Sequence, residues 1–79
     1  MSTTEQRIIT VLVEQFKIQP EVIAGDMTFG SLKFDSLVLI ELGLILDKEF
    51  GIDLDAGELT EAMTIRHAAE LVTAKKTAR

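Results

Sequence analysis

At 79 residues the chain has room for one domain with a small core, and the absence of cysteine removes disulfide and thiolate-metal staples, so helix packing has to hold it together. Apolar residues make up 47% of the chain, enough for a core and too many for general disorder. The net charge of −5 argues against nucleic-acid binding, which needs clustered Lys and Arg against phosphates. The charge is also uneven. From Asp35 to Glu61 the balance is −7, with Lys48 as the one base, whereas from Arg66 onward it is +3. A concentrated acidic region attracts basic partners and speeds their encounter. It serves equally as a solvated face that aids solubility. The polar start, Ser2-Thr3-Thr4-Glu5-Gln6, is no signal peptide, and the most apolar run, Leu37 to Leu46, is interrupted by Glu41 and too short to span a bilayer. A soluble, cytoplasmic protein without membrane association is the expectation.

The first helix is predicted to start near Thr3 or Thr4, where Ser2 with Glu5, or Thr3 with Gln6, forms a capping box. Ile8, Ile9, Leu12, Val13 and Phe16 then recur at helical spacing, and Pro20 ends the helix near Lys17. The connection from Ile18 to Phe34 contains the turn formers Gly25, Asp26, Gly30 and Ser31. Its apolar residues Val22, Ile23, Met27, Phe29 and Leu32 point to a loop packed down on the domain. The second helix should run from Asp35 or Ser36 to Phe50, with Gly51 as its stop. A short third helix is expected around Ala56 to Glu61. Thr64 caps a last helix through Ile65, Ala68, Ala69, Leu71 and Val72. The basic tail, residues 75–79, reads as frayed. No stretch alternates like a strand. The expected fold is all-α, a small four-helix bundle of three main helices and the short third one, in a single domain over residues 1–79.

The second helix has two apolar faces. At 100° per residue, Leu39, Leu42, Gly43, Leu46 and Phe50 share the face expected to enter the core. The opposite face carries Ser36, Leu37, Ile40, Glu41, Leu44, Asp47 and Lys48. Leu37, Ile40 and Leu44 form a stripe there, fringed by Glu41 and Asp47, a pattern that suits either a docking surface or burial beneath a loop. Gly43 costs about 1 kcal/mol relative to Ala inside a helix. It permits close helix packing, or it leaves room in the core for something apolar.

Ser36, in Phe34-Asp35-Ser36-Leu37, stands where the loop becomes this helix. Asp and Ser are both favoured caps, so a purely structural cap is one reading. A catalytic serine needs a base and oxyanion donors. The single histidine, His67, is predicted near the start of the last helix, and no Gly-x-Ser-x-Gly elbow surrounds Ser36, so an esterase is a distant reading. Asp53, Asp55, Gly57 and Glu58 have the wrong spacing for a calcium loop, and no metal site is expected. The remaining reading is a passive serine modified by another enzyme.

The segment Leu32-Lys33-Phe34-Asp35-Ser36-Leu37, followed by a helix containing Glu41 and ending Asp47-Lys48-Glu49-Phe50-Gly51-Ile52, resembles the acyl carrier protein family. The resemblance extends over nearly the whole chain, including its length, acidity, helix order, long first loop and Thr64-Ile65. It implies that Ser36 receives 4'-phosphopantetheine from coenzyme A through a Mg2+-dependent phosphopantetheinyl transferase, with Asp35 helping to position the metal or a basic transferase side chain. The arm's thiol then carries acyl groups as thioesters, which gives a cysteine-free, non-catalytic chain its thiol chemistry. Leu37, Ile40, Glu41, Leu44 and Asp47 match positions that the family uses to dock the transferase, ketosynthases and other acyl-loading and acyl-processing enzymes.

The chain also departs from the family pattern. Lys33 stands where many members have glycine, Val38 and Leu39 replace a more polar pair, and Gly43 takes the place of a bulkier core residue. The changes at Lys33, Val38 and Leu39 weaken the case for a primary fatty-acid role and fit a freestanding carrier of a polyketide or other specialised pathway. The expected function is a carrier, monomeric on its own, in a polyketide or fatty-acid-like pathway. Leu39, Leu42, Gly43 and Leu46 are the candidates for lining an acyl pocket. A peptidyl or aminoacyl carrier and an unmodified helical interaction module are the alternatives.

Overall fold

A computed structural model describes residues 3–55 and 57–77. It contains three α-helices, α1 (Thr3–Phe16), α2 (Ser36–Phe50) and α3 (Ile65–Thr77). Two single 3-10 turns, Pro20–Val22 and Gly30–Leu32, lie in the first connection. Each helix contributes one apolar stripe to a common core. The stripes are Ile8, Val11 and Leu12 from α1, Leu39, Leu42, Leu46 and Phe50 from α2, and Ile65, Ala68, Ala69 and Val72 from α3. Phe29, Phe34 and Leu59 from the connections complete it. Fully burying a side chain of this kind contributes about 1.5–3 kcal/mol.

Local chemistry fixes the helix ends. Lys17, in the left-handed region at φ 60°, follows the last residue of α1. Asp35 caps α2 by accepting from the Val38 amide at 2.9 Å. Gly51, at φ 65°, ends it as its own amide and that of Ile52 both turn back to the Asp47 carbonyl. Thr64 Oγ1 accepts from the His67 amide at 3.0 Å and caps α3.

The long first connection is packed down, as its apolar residues require, and the pre-α3 segment is what holds it. The amides of Phe29 and Gly30 donate to the carbonyls of Met63 and Glu61 at 3.1 and 2.9 Å. In return the amides of Ile65 and Arg66 donate to Met27 and Gly25 at 3.0 and 2.8 Å. An isolated antiparallel bridge pairs Thr28 with Thr64 and, among the described residues, no strand forms.

One sequence expectation needs correction. No short helix spans 56–61 among the described residues, so the fold is a bundle of three helices rather than four. The segment makes separate turns, Glu58 N–H to Asp55 and Met63 N–H to Thr60. The Glu61 and Met63 carbonyls face the first connection, and a continuous helix would take those acceptors away from it. Ala56 lies outside the described residues. The last helix, α3, is described as far as Thr77. Lys75 pairs with Glu58 at 2.8 Å, and Lys76 sits 5.7 Å from the centre of the Phe50 ring. Residues 78 and 79 lie outside the described residues. The capping box pairing Ser2 with Glu5 falls partly outside the described residues. Glu5 is buried, with one carboxylate oxygen 3.6 Å from Arg66 Nε.

Candidate functional site

Phe34 anchors the approach to α2. It is buried, with its ring 5.2 Å from that of Phe16 and stacked 5.9 Å from that of Phe29. Its amide also donates to the Phe29 carbonyl. Lys33, immediately before, turns the chain through the left-handed region at φ 68°. That conformation favours glycine and gives a physical reason for glycine at this place. The chain then enters the helix through Asp35, and the side chain of Asp35 supplies the cap.

The division of labour between Asp35 and Ser36 shapes the site. With Asp35 as the cap, Ser36 is the first residue of α2 and is exposed. Among the described residues no hydrogen bond engages its hydroxyl. It sits at the positive end of the helix, where an anionic group attached to it would be favoured. His67 is exposed on α3, and no described hydrogen bond joins it to Ser36. The hydroxyl is therefore presented without activation, as a substrate for another enzyme would be.

The outward face of α2 carries exposed Leu37 (67%), Ile40 (44%) and Leu44 (61%), so the stripe lies open rather than beneath the loop. Glu41 is exposed beside it. Asp47 differs from Glu41: it is half-buried, and its Oδ1 accepts from the Leu54 amide at 2.8 Å.

The four pocket candidates separate. Leu42 and Leu46 are wholly buried in the core. Leu39 and Gly43 border a small cleft of about 100 Å³ whose other walls are Leu54, Asp55 and Leu59, with Ile40, Leu44 and Asp47 also lining it. Leu54 and Leu59 are therefore lining residues that the periodicity of α2 did not reveal. The signal for them was an apolar residue at each place in the connection after α2, shared with Ile52 and Met63 and so not specific to the cleft. A methyl group on Gly43 would stand 3.8 Å from Leu59 Cδ1, an ordinary contact, so Gly43 adds open space to the cleft rather than relieving a clash.

Behind Leu59, Glu58 Oε1 receives both Lys75 Nζ and the Asp55 amide at 2.8 Å. The Lys75 hydrogen bond, followed by that of the Asp55 amide, holds the Glu58 carboxyl below its ordinary range. Glu58 in turn raises Lys75.

A family model described as "Phosphopantetheine attachment site" matches residues 6–72, most of the chain. The chain belongs to the acyl carrier protein family. Among its relatives, the acyl carrier protein of Zymomonas mobilis is 29% identical over 77 residues, covering 96% of this chain and 99% of the relative. That of Cylindrotheca sp. is 32% identical over 95% of both chains. That of Rickettsia canadensis is 33% identical over 91% of this chain and 88% of the relative. The family's cofactor is phosphopantetheine, and its members are carriers rather than catalysts that work with biosynthetic enzymes. No described helix is long and apolar enough to cross a membrane.

Proposed function

We propose that the chain holds acyl intermediates as thioesters on a 4'-phosphopantetheine arm attached to Ser36, and presents them to the enzymes of a polyketide or fatty-acid-like pathway. The observation that carries this reading is the exposed Ser36 hydroxyl at the first position of α2, without a hydrogen bond among the described residues, while Asp35 supplies the cap. These residues suit the group. The hydroxyl is open to a transferase, and the helix terminus favours the phosphodiester. The bound arm supplies the thiol that the cysteine-free chain lacks. The chain itself supplies placement. Phe34 fixes the entry angle, and Asp35 locks the first turn. The Leu37, Ile40 and Leu44 stripe, with Glu41 beside it, gives a visiting enzyme an apolar anchor with an acidic rim. Lys33, Val38 and Leu39 weaken the case for a primary fatty-acid role, because each departs from the pattern resembled above.

Incubation with coenzyme A, Mg2+ and a broad-specificity phosphopantetheinyl transferase, followed by intact mass, tests the assignment. The chain should gain one phosphopantetheine and Ser36→Ala none. An unmodified wild-type mass would favour the interaction module. Binding of a cognate ketosynthase should weaken as salt rises, because an acidic rim contributes to docking, and salt-independent affinity would remove that part of the proposal.

A further inference from the structure

Lys33 occupies a position that its own backbone does not favour. The 3-10 turn Gly30–Leu32 ends on it, its amide donates to the Gly30 carbonyl, and its φ is 68°. The turn accounts for the conformation but not for the lysine, since glycine adopts a positive φ without steric cost. Strain kept beside a functional site is a reason to look for what the side chain does there.

The surroundings of Lys33 narrow the answer. It is exposed, and among the described residues no ion pair engages it. Between Lys17 and Lys48 it is the only base, against Glu21, Asp26, Asp35, Glu41 and Asp47. The nearest of these acids in sequence, Asp35, commits a carboxylate oxygen to the Val38 amide. Ser36 follows three residues after Lys33. Three residues of chain span at most about 10 Å. A lysine carries its charge about 6 Å from its own Cα on a flexible stem, and a phosphorus on a serine oxygen stands about 4 Å from that Cα. These lengths bring the Lys33 ammonium within contact of a phosphate on Ser36.

We propose that the Lys33 ammonium pairs with the phosphodiester that joins the 4'-phosphopantetheine arm to Ser36. The proposal rests on Ser36 carrying the arm. The pair draws the root of the arm toward the first connection, to which Lys33 belongs. It also offsets the negative charge that the phosphodiester adds to the acidic stretch from Asp35 to Glu61.

The test compares each protein without the arm and with it, loading being confirmed by intact mass. Two quantities are read: the ratio of the folding equilibrium constants of the loaded and unloaded forms, from urea unfolding, and the 31P shift of the loaded form. Lys33→Gln should lower that ratio about two- to fivefold at low salt, the range of an exposed ion pair, and should move the 31P signal. Lys33→Arg should restore both. Lys33→Gly should raise the stability of the unloaded form yet lower the ratio as Lys33→Gln does, which a purely conformational role of Lys33 would not produce. Lys48→Gln removes the same charge from the other end of α2, about 18 Å along the helix from Ser36, and should leave both quantities unchanged. In 1 M salt, where charges are screened beyond about 3 Å, the difference between wild type and Lys33→Gln should shrink. Equal ratios and equal 31P shifts in wild type, Lys33→Gln and Lys48→Gln would overturn the proposal while leaving the carrier reading standing. So would a Lys33→Gln chain that alone fails to load, because Lys33 would then serve the transferase rather than the arm. Failure of wild type to load at Ser36 would overturn the carrier reading, and the proposal with it.

Discussion

Asp35 and Ser36 are adjacent and chemically similar as caps, yet they divide the work. The Asp35 carboxylate is committed to the Val38 amide, and the Ser36 hydroxyl to nothing described. Asp35→Ala should therefore lower stability by about 1 kcal/mol, the usual effect of losing a cap. Ser36→Ala should leave the midpoint of urea unfolding within about 0.5 kcal/mol of wild type, as for surface changes away from a specific contact. A large loss in Ser36→Ala would show that the hydroxyl is structural after all. Lys33 is the other telling residue. At φ 68° it occupies a conformation that costs a non-glycine residue about 1–2 kcal/mol, part of which glycine's greater unfolded-state freedom offsets. Lys33→Gly should raise stability by about 0.5–1 kcal/mol, measured as a shift in the urea midpoint at constant slope.

On α2 the two apolar faces have different fates. Leu39, Leu42, Leu46 and Phe50 are buried, while Leu37, Ile40 and Leu44 stay exposed. The helical period showed both faces in the sequence but did not show which of them would be covered. Covering depends on where the loop goes, and the loop goes to the 61–66 segment, not over α2. Leu44→Asp should therefore hardly change stability, yet weaken binding of a partner enzyme tenfold or more by placing a charge in an apolar contact. Titration calorimetry against a ketosynthase checks this, and unchanged affinity would remove Leu44 from the docking face. The connection after α2 was the least legible element. The expectation of a short third helix from Ala56 met a chain that spends the Glu61 and Met63 carbonyls on Gly30 and Phe29. Those acceptors belong to contacts some thirty residues away, where no local propensity reaches.

At the scale of the whole molecule, the Glu5–Arg66 and Glu58–Lys75 ion pairs join parts that are distant in sequence. Glu5 of α1 and Arg66 of α3 meet beside Gly25, where any side chain would collide with the Glu5 carboxylate. Gly25→Ala should push the Glu5 carboxylate aside and weaken its pairing with Arg66 at a cost of about 1 kcal/mol, the low end for overpacking, because the atoms it meets are the ends of flexible side chains. Hydrogen exchange at the Arg66 amide, which bonds the Gly25 carbonyl, reads this directly.

The second pair, Glu58 with Lys75, has a pH signature. The folded Glu58 pKa lies below its ordinary 4.5, so its contribution is present above that value and lost as pH falls through the lower folded one. The folded Lys75 pKa is raised above 10.5, first by the Glu58 hydrogen bond and also by the charges of Glu58, Asp55 and Asp53. Its contribution is present below 10.5 and lost as pH rises through the folded value. The stability difference between wild type and Lys75→Met should be flat between those limits and shrink beyond each. A difference that varied across neutral pH would point to another group.

The sequence by itself determined what is local. Helical spacing picked the core faces, and cap chemistry placed Asp35, Gly51 and Thr64. The loop-to-helix position of Ser36 and the family resemblance followed from the same short stretch of chain. These features depend on residues within about four positions of one another, where propensity and hydrogen-bond geometry act. Only the tertiary structure decided that the Leu37, Ile40 and Leu44 stripe stays open, that Leu59 faces Gly43, and that Lys75 reaches Glu58. Each of these depends on how two segments far apart in sequence pack. The stability of such contacts comes from burial and pairing across the fold, which the order of residues along one helix does not encode.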